Sequence, residues 1–311
     1  MAEPFDAVLM VAFGGPTKSE EIRPFLSNVL QGVPVPPGRL EEVAHHYEAL
    51  GGRSPINELT FRQAKGLAEL LDREGPRLPV YVGMRYWHPL VGEAVQQMMR
   101  DGARRAIGII MAAHDSGAAS WGKYVKAVTD ALQAAGPGAP RVEYAQPCYN
   151  RPDFIAAMVD QIRHRLQEIP PERRRNTPLV FTAHSIPSSM AAASPYVEQL
   201  LESCRLVAEA LSHPRWSLAY QSRSGDPRQP WLKPDVRDVL TELSAEGIRS
   251  VVLAPIGFVC DHVEVLFDLD VEAKAVADKL GIDLRRASTM NDHPLYMRAL
   301  ADLVRQRVRL G

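Results

Sequence analysis

Short apolar runs recur along the chain between longer stretches whose apolar residues return every three to four positions. Ala7–Phe13, Val80–Met84, Ala106–Ala112, Val142–Tyr144, Leu179–Ala183, Ser217–Gln221, Ser250–Ile256 and a weaker Asp283–Arg286 read as strands, most of them apolar throughout, as strands covered on both faces are. Segments of helical period lie between them: Pro55–Arg73, Leu90–Arg100, Gly122–Ala134, Asp153–Gln167, Tyr196–Leu211, Val236–Ala245, Asp261–Lys279 and Pro294–Arg307. This alternation predicts an α/β fold with parallel sheets. The strands divide into two groups of four at Tyr149-Asn150-Arg151-Pro152. We therefore expect two similar Rossmann-like, doubly wound domains with four-stranded parallel sheets, residues 1–150 and 151–288, and a C-terminal helical segment, 289–311, packing back on the first. Ligands of such sheets sit beyond the carboxyl ends of the strands.

Composition narrows the class. Of 311 residues, 46% are hydrophobic and 23% charged, which is ordinary for a folded globular protein, and the 25 prolines are scattered rather than gathered in a linker. A net charge of −1 supplies no field for phosphates, so no nucleic-acid partner is expected. Cys148, Cys204 and Cys260 lie too far apart for a C-x-x-C pair, which points to a reducing, cytoplasmic setting. The start, Met1-Ala2-Glu3-Pro4-Phe5-Asp6, has no signal-peptide pattern, and the apolar runs are too short to span a bilayer. Peripheral membrane contact stays open.

Candidate chemistry stands at the strand ends. Phe13-Gly14-Gly15-Pro16 follows the first strand, but without G-x-G-x-x-G or a Walker lysine it reads as a backbone turn, and no nucleotide is expected. His114 and His184 each follow a buried strand, where an imidazole can act as base or metal ligand or simply be bonded to nearby backbone. Pro255-Ile256-Gly257-Phe258-Val259-Cys260-Asp261-His262-Val263-Glu264 leads into a helix that carries Glu264, Asp268 and Glu272 four residues apart. On an α-helix these carboxylates share one face, rising about 6 Å and drifting about 40° per step. Their neighbours Val263, Val265, Leu266, Phe267, Leu269 and Val271 are apolar, so the stripe reads as functional rather than as a solvated face. Imidazole with carboxylates suits divalent iron, and the same groups can move protons. Tyr220–Pro227 with Pro230-Trp231-Leu232, and Met84–Pro89 with Arg85, offer aromatic walls and a cation for a large flat ligand bearing carboxylates.

These residues together resemble the ferrochelatases, which insert ferrous iron into a porphyrin. The matching segments are Phe13–Pro16, Gly51–Asn57, Arg85–Pro89, Ala183–Pro187, Gln221–Gly225, Pro230–Leu232 and Pro255–Glu272, in the family's order along nearly the whole chain. The resemblance implies two chelatase-like domains facing each other across a porphyrin cleft. His184 and Glu264 would be catalytic, as base or metal ligand, and Asp268 and Glu272 would continue the metal or proton path. Ser54 and Tyr124 match residues that hold porphyrin carboxylates, with His46 and Tyr47 nearby, and Phe13, Arg85 and Trp231 complete the expected porphyrin contacts.

Two departures stand out. Some relatives carry tyrosine where this chain has Phe13, which has no oxygen for an axial metal bond, and some carry arginine at His46. The wording of Phe13–Pro16, and of Ile22–Leu26 with Gly52–Asn57, is closest to the actinobacterial type, which uses coproporphyrin III; protoporphyrin IX is the other substrate. Iron is expected as substrate, with no iron–sulfur cluster, since the C-terminal cysteines of cluster-bearing members are missing before Gly311. Other haem-pathway enzymes are the partners expected. The competing readings are a cobalt or nickel tetrapyrrole chelatase of the same fold, and a haem-binding or haem-delivery protein without turnover.

Overall fold

β1 (Ala7–Ala12), β2 (Val80–Met84), β3 (Arg105–Ile110) and β4 (Arg141–Tyr144) form one parallel sheet in the order β2-β1-β3-β4. β5 (Leu179–His184), β6 (Trp216–Gln221), β7 (Ser250–Ala254) and β8 (Asp283–Arg286) form a second, in the order β6-β5-β7-β8. The computed structural model describes residues 4–31, 38–224 and 228–310. Met1–Glu3, Gly311 and the Gly225-Asp226-Pro227 part of the aromatic loop lie outside the described residues.

Central strands β1, β3 and β7 are buried along their whole length, which is why they read as uninterrupted apolar runs. Strand ends differ from the expected bounds for local reasons. β7 stops at Ala254 because Pro255 has no N–H to continue the ladder. β5 runs one residue further, to His184, which pairs with Gln221 of β6.

The chain forms two compact units, one of Met1–Ala112, Ser120–Cys148 and Asp292–Gly311, the other of Ala113–Ala119 and Tyr149–Asn291. In the first, helix Pro294–Leu310 packs on helix Ile56–Glu74, burying Tyr296, Leu300, Leu303 and Val304. A Cβ at Gly66 would come within 3.0 Å of Met297 Cγ, so the two helices approach closely there. In the second, Val265, Leu269, Ala273 and Ala277 belong to one apolar core with Val180 of β5, Ala219 of β6 and Val251 and Leu253 of β7.

The order β6-β5-β7-β8 reverses direction between β5 and β7. Consecutive strands leave that point to opposite sides, and a crevice opens at the carboxyl ends there. His184 ends β5, and the segment that leads to Glu264 begins directly after β7.

Candidate active site

His184 is held by its own backbone neighbourhood. Its Nδ1 lies 2.5 Å from the Ser185 carbonyl, which fixes one proton on Nδ1 and leaves Nε2 as the nitrogen that gains or loses the second. The phenol of buried Tyr196 donates to the His184 carbonyl at 3.1 Å. Across the strand ends, His184 Nε2 stands 3.7 Å from Glu264 Oε1, with side-chain exposures of 28% and 45%, so solvent reaches the pair. On its other side Glu264 meets His262, Nε2 to Oε2 at 3.4 Å, and Gln221 Nε2 donates to the Glu264 backbone carbonyl at 2.8 Å.

Burial would raise the Glu264 carboxyl, but the facing imidazoles of His184 and His262 outweigh it and hold the group well below the usual carboxylate range. His184 moves the other way. Burial alone would lower it; the facing Glu264 carboxylate and the hydrogen bond to Ser185 raise it above an ordinary imidazole. The pair is therefore disposed to hold a proton on the imidazole and a charge on the carboxylate.

Asp268 is the next step. Burial pushes its carboxyl up to about 7, helped by the charges of Glu264 and Glu272 and opposed by a hydrogen bond donated by the Ser222 hydroxyl. At the far end Glu272 faces Arg237, Oε2 to a guanidinium nitrogen at 3.6 Å. These acids do not stand on an ordinary α-helix. Val263–Val265 is α-helical, Leu266–Ala273 is π-helical, and Lys274–Lys279 is α-helical again. A π turn holds more residues than an α turn, so acids four apart within this stretch, Asp268 and Glu272, stop short of a full turn instead of overshooting it.

His114 belongs to a different environment. It is buried, Nε2 bonds the Ser203 hydroxyl at 2.9 Å, Nδ1 has no partner among the described residues, and burial pushes the group down to about 3. It is a neutral structural histidine, bonded to a side chain rather than to backbone. Trp231 pairs with Pro187 through an antiparallel bridge, and Ser185 Oγ donates to the Leu232 carbonyl at 3.0 Å, so the tryptophan segment is stitched to the loop after β5.

The other expected residues lie in the first unit. Gly14 turns the chain with φ +84, and a Cβ at Gly15 would come within 2.8 Å of Ile56 Cγ2 and 3.0 Å of Ser54 Cβ. The Asn57 amide clasps Gly15, accepting from its N–H and donating to its carbonyl, both at 2.9 Å. Buried Ser54 thus sits against the turn after β1, its N–H donating to the Pro16 carbonyl at 2.8 Å. Phe13 stands edge-on to Tyr86, ring centres 4.7 Å apart, and the Arg85 guanidinium lies 4.3 Å from the Tyr86 ring centre. His46 and buried Tyr47 occupy the helix Arg39–Ala49, with Tyr47 against Phe25. Tyr124 is buried among Val91, Ala94, Val95 and Met98.

Two residues escaped the sequence reading. His262 lay inside a segment singled out for its acids, and only the fold shows that it brackets Glu264. Lys123 carries no motif, yet burial and the charge of Arg85 lower its ammonium pKa, which places two cations in one neighbourhood. Among the described residues no three His, Cys, Asp or Glu side chains form a cluster that could hold a metal ion, and no helix is long and apolar enough to cross a membrane.

Comparison with known proteins identifies the family and the fold. The ferrochelatase family model matches residues 5–308. A ferrochelatase of Rhodopirellula baltica is 44% identical over 306 residues, covering 98% of this chain and 87% of the relative. A coproporphyrin III ferrochelatase of Nocardia farcinica is 42% identical over 311 residues, covering 97% and 88%. Among solved structures, SirB from Bacillus subtilis superposes with a TM-score of 0.59 at 15% identity, over 98% of this chain and 96% of that one, a likeness of fold.

Proposed function

Since the chain belongs to the ferrochelatase family, we propose that it inserts ferrous iron into a porphyrin in haem biosynthesis, with coproporphyrin III as the preferred substrate. The pairing of His184 with Glu264 at 3.7 Å carries this reading. Insertion exchanges two pyrrole N–H protons for one Fe(II), so the enzyme must take up protons where the metal arrives. With its Nδ1–H committed to Ser185, His184 accepts a pyrrole proton at Nε2. The imidazolium that forms is stabilised by the adjacent Glu264 carboxylate. Asp268, pushed up to about 7, gains and loses a proton near neutrality, and Glu272 completes the path away from His184.

The same groups suit the metal. Imidazole and carboxylate are ligands Fe(II) accepts readily, and a file of acids can hand a substrate ion along without retaining it. His184, Glu264, Asp268 and Glu272 therefore serve both iron and protons in this proposal. Binding a bent macrocycle, whose nitrogen lone pairs are exposed, favours the transition state over the flat ring.

Arg85, a fixed guanidinium fork, is proposed to hold substrate carboxylates together with Ser54, His46, Tyr47 and Tyr124. Phe13 and Trp231 offer apolar faces to the ring. Coproporphyrin III carries more carboxylates than protoporphyrin IX, which favours a site rich in such contacts. Neither nucleotide nor iron–sulfur cluster takes part, and the cytoplasm, among other haem-pathway enzymes, is the proposed setting. Anaerobic incubation with Fe(II) and each porphyrin, followed by absorbance, tests the reading. Faster metallation of coproporphyrin III is expected; no metalloporphyrin from either substrate would overturn it.

A further inference from the structure

Behind the acidic file lies a second set of charges that the chemistry above does not use. Arg286, the last residue of β8, has 15% side-chain exposure. Its guanidinium grips both oxygens of Asp270, Nε at 2.7 Å and Nη2 at 2.9 Å. The remaining nitrogen, Nη1, donates to Asp261 Oδ1 at 3.0 Å and to the Ala287 carbonyl at 3.2 Å. Asp261 is fastened from its other side as well. Its N–H donates to Asn291 Oδ1 at 2.9 Å, and Asn291 Nδ2 donates to Asp261 Oδ2 at 3.0 Å.

The two carboxylates so gripped stand on either side of Glu264 and Asp268 in the chain. Asp261 immediately precedes His262 and lies three residues before Glu264, and Asp270 falls between Asp268 and Glu272 within the π-helical stretch. A π-helix is intrinsically rare and usually lasts a single turn, so an eight-residue stretch such as Leu266–Ala273 calls for ties from outside. One rigid fork that holds Asp261, two residues before the helix, and Asp270, midway along the π-helical stretch, ties the start of the segment to its winding. Lysine replaces it only in part, because a single ammonium keeps the charge but lacks the planar two-sided fork.

We infer that Arg286 is a positioning residue: by clamping Asp261 and Asp270 it ties the turn that carries His262 and Glu264 to the π-helical stretch Leu266–Ala273, and so sets Glu264 against His184. This rests on the ferrochelatase reading for its kinetic consequence, though not for its structural one. Without the fork Asp261 loses its tie to Asp270, and the turn that carries Glu264 is free to shift away from His184 as the π stretch rewinds. Misplacement by about 1 Å costs up to about a hundredfold in rate.

Arg286→Met and the milder Arg286→Lys and Asp270→Asn test the clamp in the full-length enzyme. For Arg286→Met we expect kcat for coproporphyrin III to fall about tenfold to a hundredfold, with KM within about a factor of two. Arg286→Lys and Asp270→Asn are expected to fall between Arg286→Met and the native enzyme. In a Glu264→Gln background Arg286→Met should cost nothing further, since the group it positions is already disabled. Amide hydrogen exchange, read without substrate, should show faster exchange at residues 266–273 and unchanged protection of β5 and β7. Native kcat in Arg286→Met, an equal loss of rate in the Glu264→Gln background, or unchanged exchange at 266–273 would each overturn the clamp. Should the native protein metallate no porphyrin, the functional reading falls while the exchange comparison still decides the clamp.

Discussion

His184 shows how one contact sets the direction of a pH response. Glu264 raises the imidazole above its ordinary value of 6.5, so the proton-accepting form grows only as pH climbs through that raised value, and kcat is expected to rise there. The stability term runs the opposite way: the pair's contribution is present below 6.5 and is lost as pH rises through the folded-state value. Glu264→Gln keeps the shape and removes the charge. The acid limb of the kcat profile should then move to lower pH and the plateau fall about a hundredfold, the scale of general acid–base catalysis. An acid limb that stays in place would remove Glu264 from partnership with His184. His184 and Glu264 were legible because each follows a strand in a recognisable run; His262 and Arg286 were not, because what matters about them is what they touch across the fold.

Elements were legible in proportion to their burial. Strands covered on both faces leave continuous apolar runs, so β1, β3, β5 and β7 announce themselves, whereas β8 keeps only Leu284 fully inside and barely registers. The π-helical stretch was read as plain α-helix, yet it had a signal. Apolar residues 265, 269, 273 and 277 and acids 264, 268 and 272 both repeat every four positions, a period too long for an α-helix of 3.6 residues per turn. Insertions or deletions within Leu266–Ala273 would thus change chiefly which way the acids point. The loop after β7 is equally exacting. At Gly257 a Cβ would lie 2.6 Å from Ala183 Cβ and 2.7 Å from Ala183 Cα, directly beside His184. Gly257→Ala is expected to cost about 1–3 kcal/mol by overpacking and to lower kcat by shifting the end of β5. Urea unfolding and steady-state rates measure both; native values of each would show that the loop yields freely.

At the scale of the whole molecule, a net charge of −1 conceals a file of acids on an apolar helix, which is why bulk composition could not name a reaction. The helix Pro294–Leu310 is equally invisible to bulk measures. Tyr296, 1% exposed, is one of its own buried residues, and Tyr296→Ala should cost about 3 kcal/mol or more. Calorimetry would register a lowered transition, and an unchanged one would show that this helix adds nothing to stability. The first unit draws on both ends of the chain, Met1–Ala112 and Asp292–Gly311, while nearly all of the second runs unbroken from Tyr149 to Asn291. On the ribosome, therefore, the unit that is begun first is finished last. The apolar flank of Ile56–Glu74 waits uncovered while residues 149–291 emerge and fold, and so the nascent chain passes through an interval in which chaperone capture competes with its own completion.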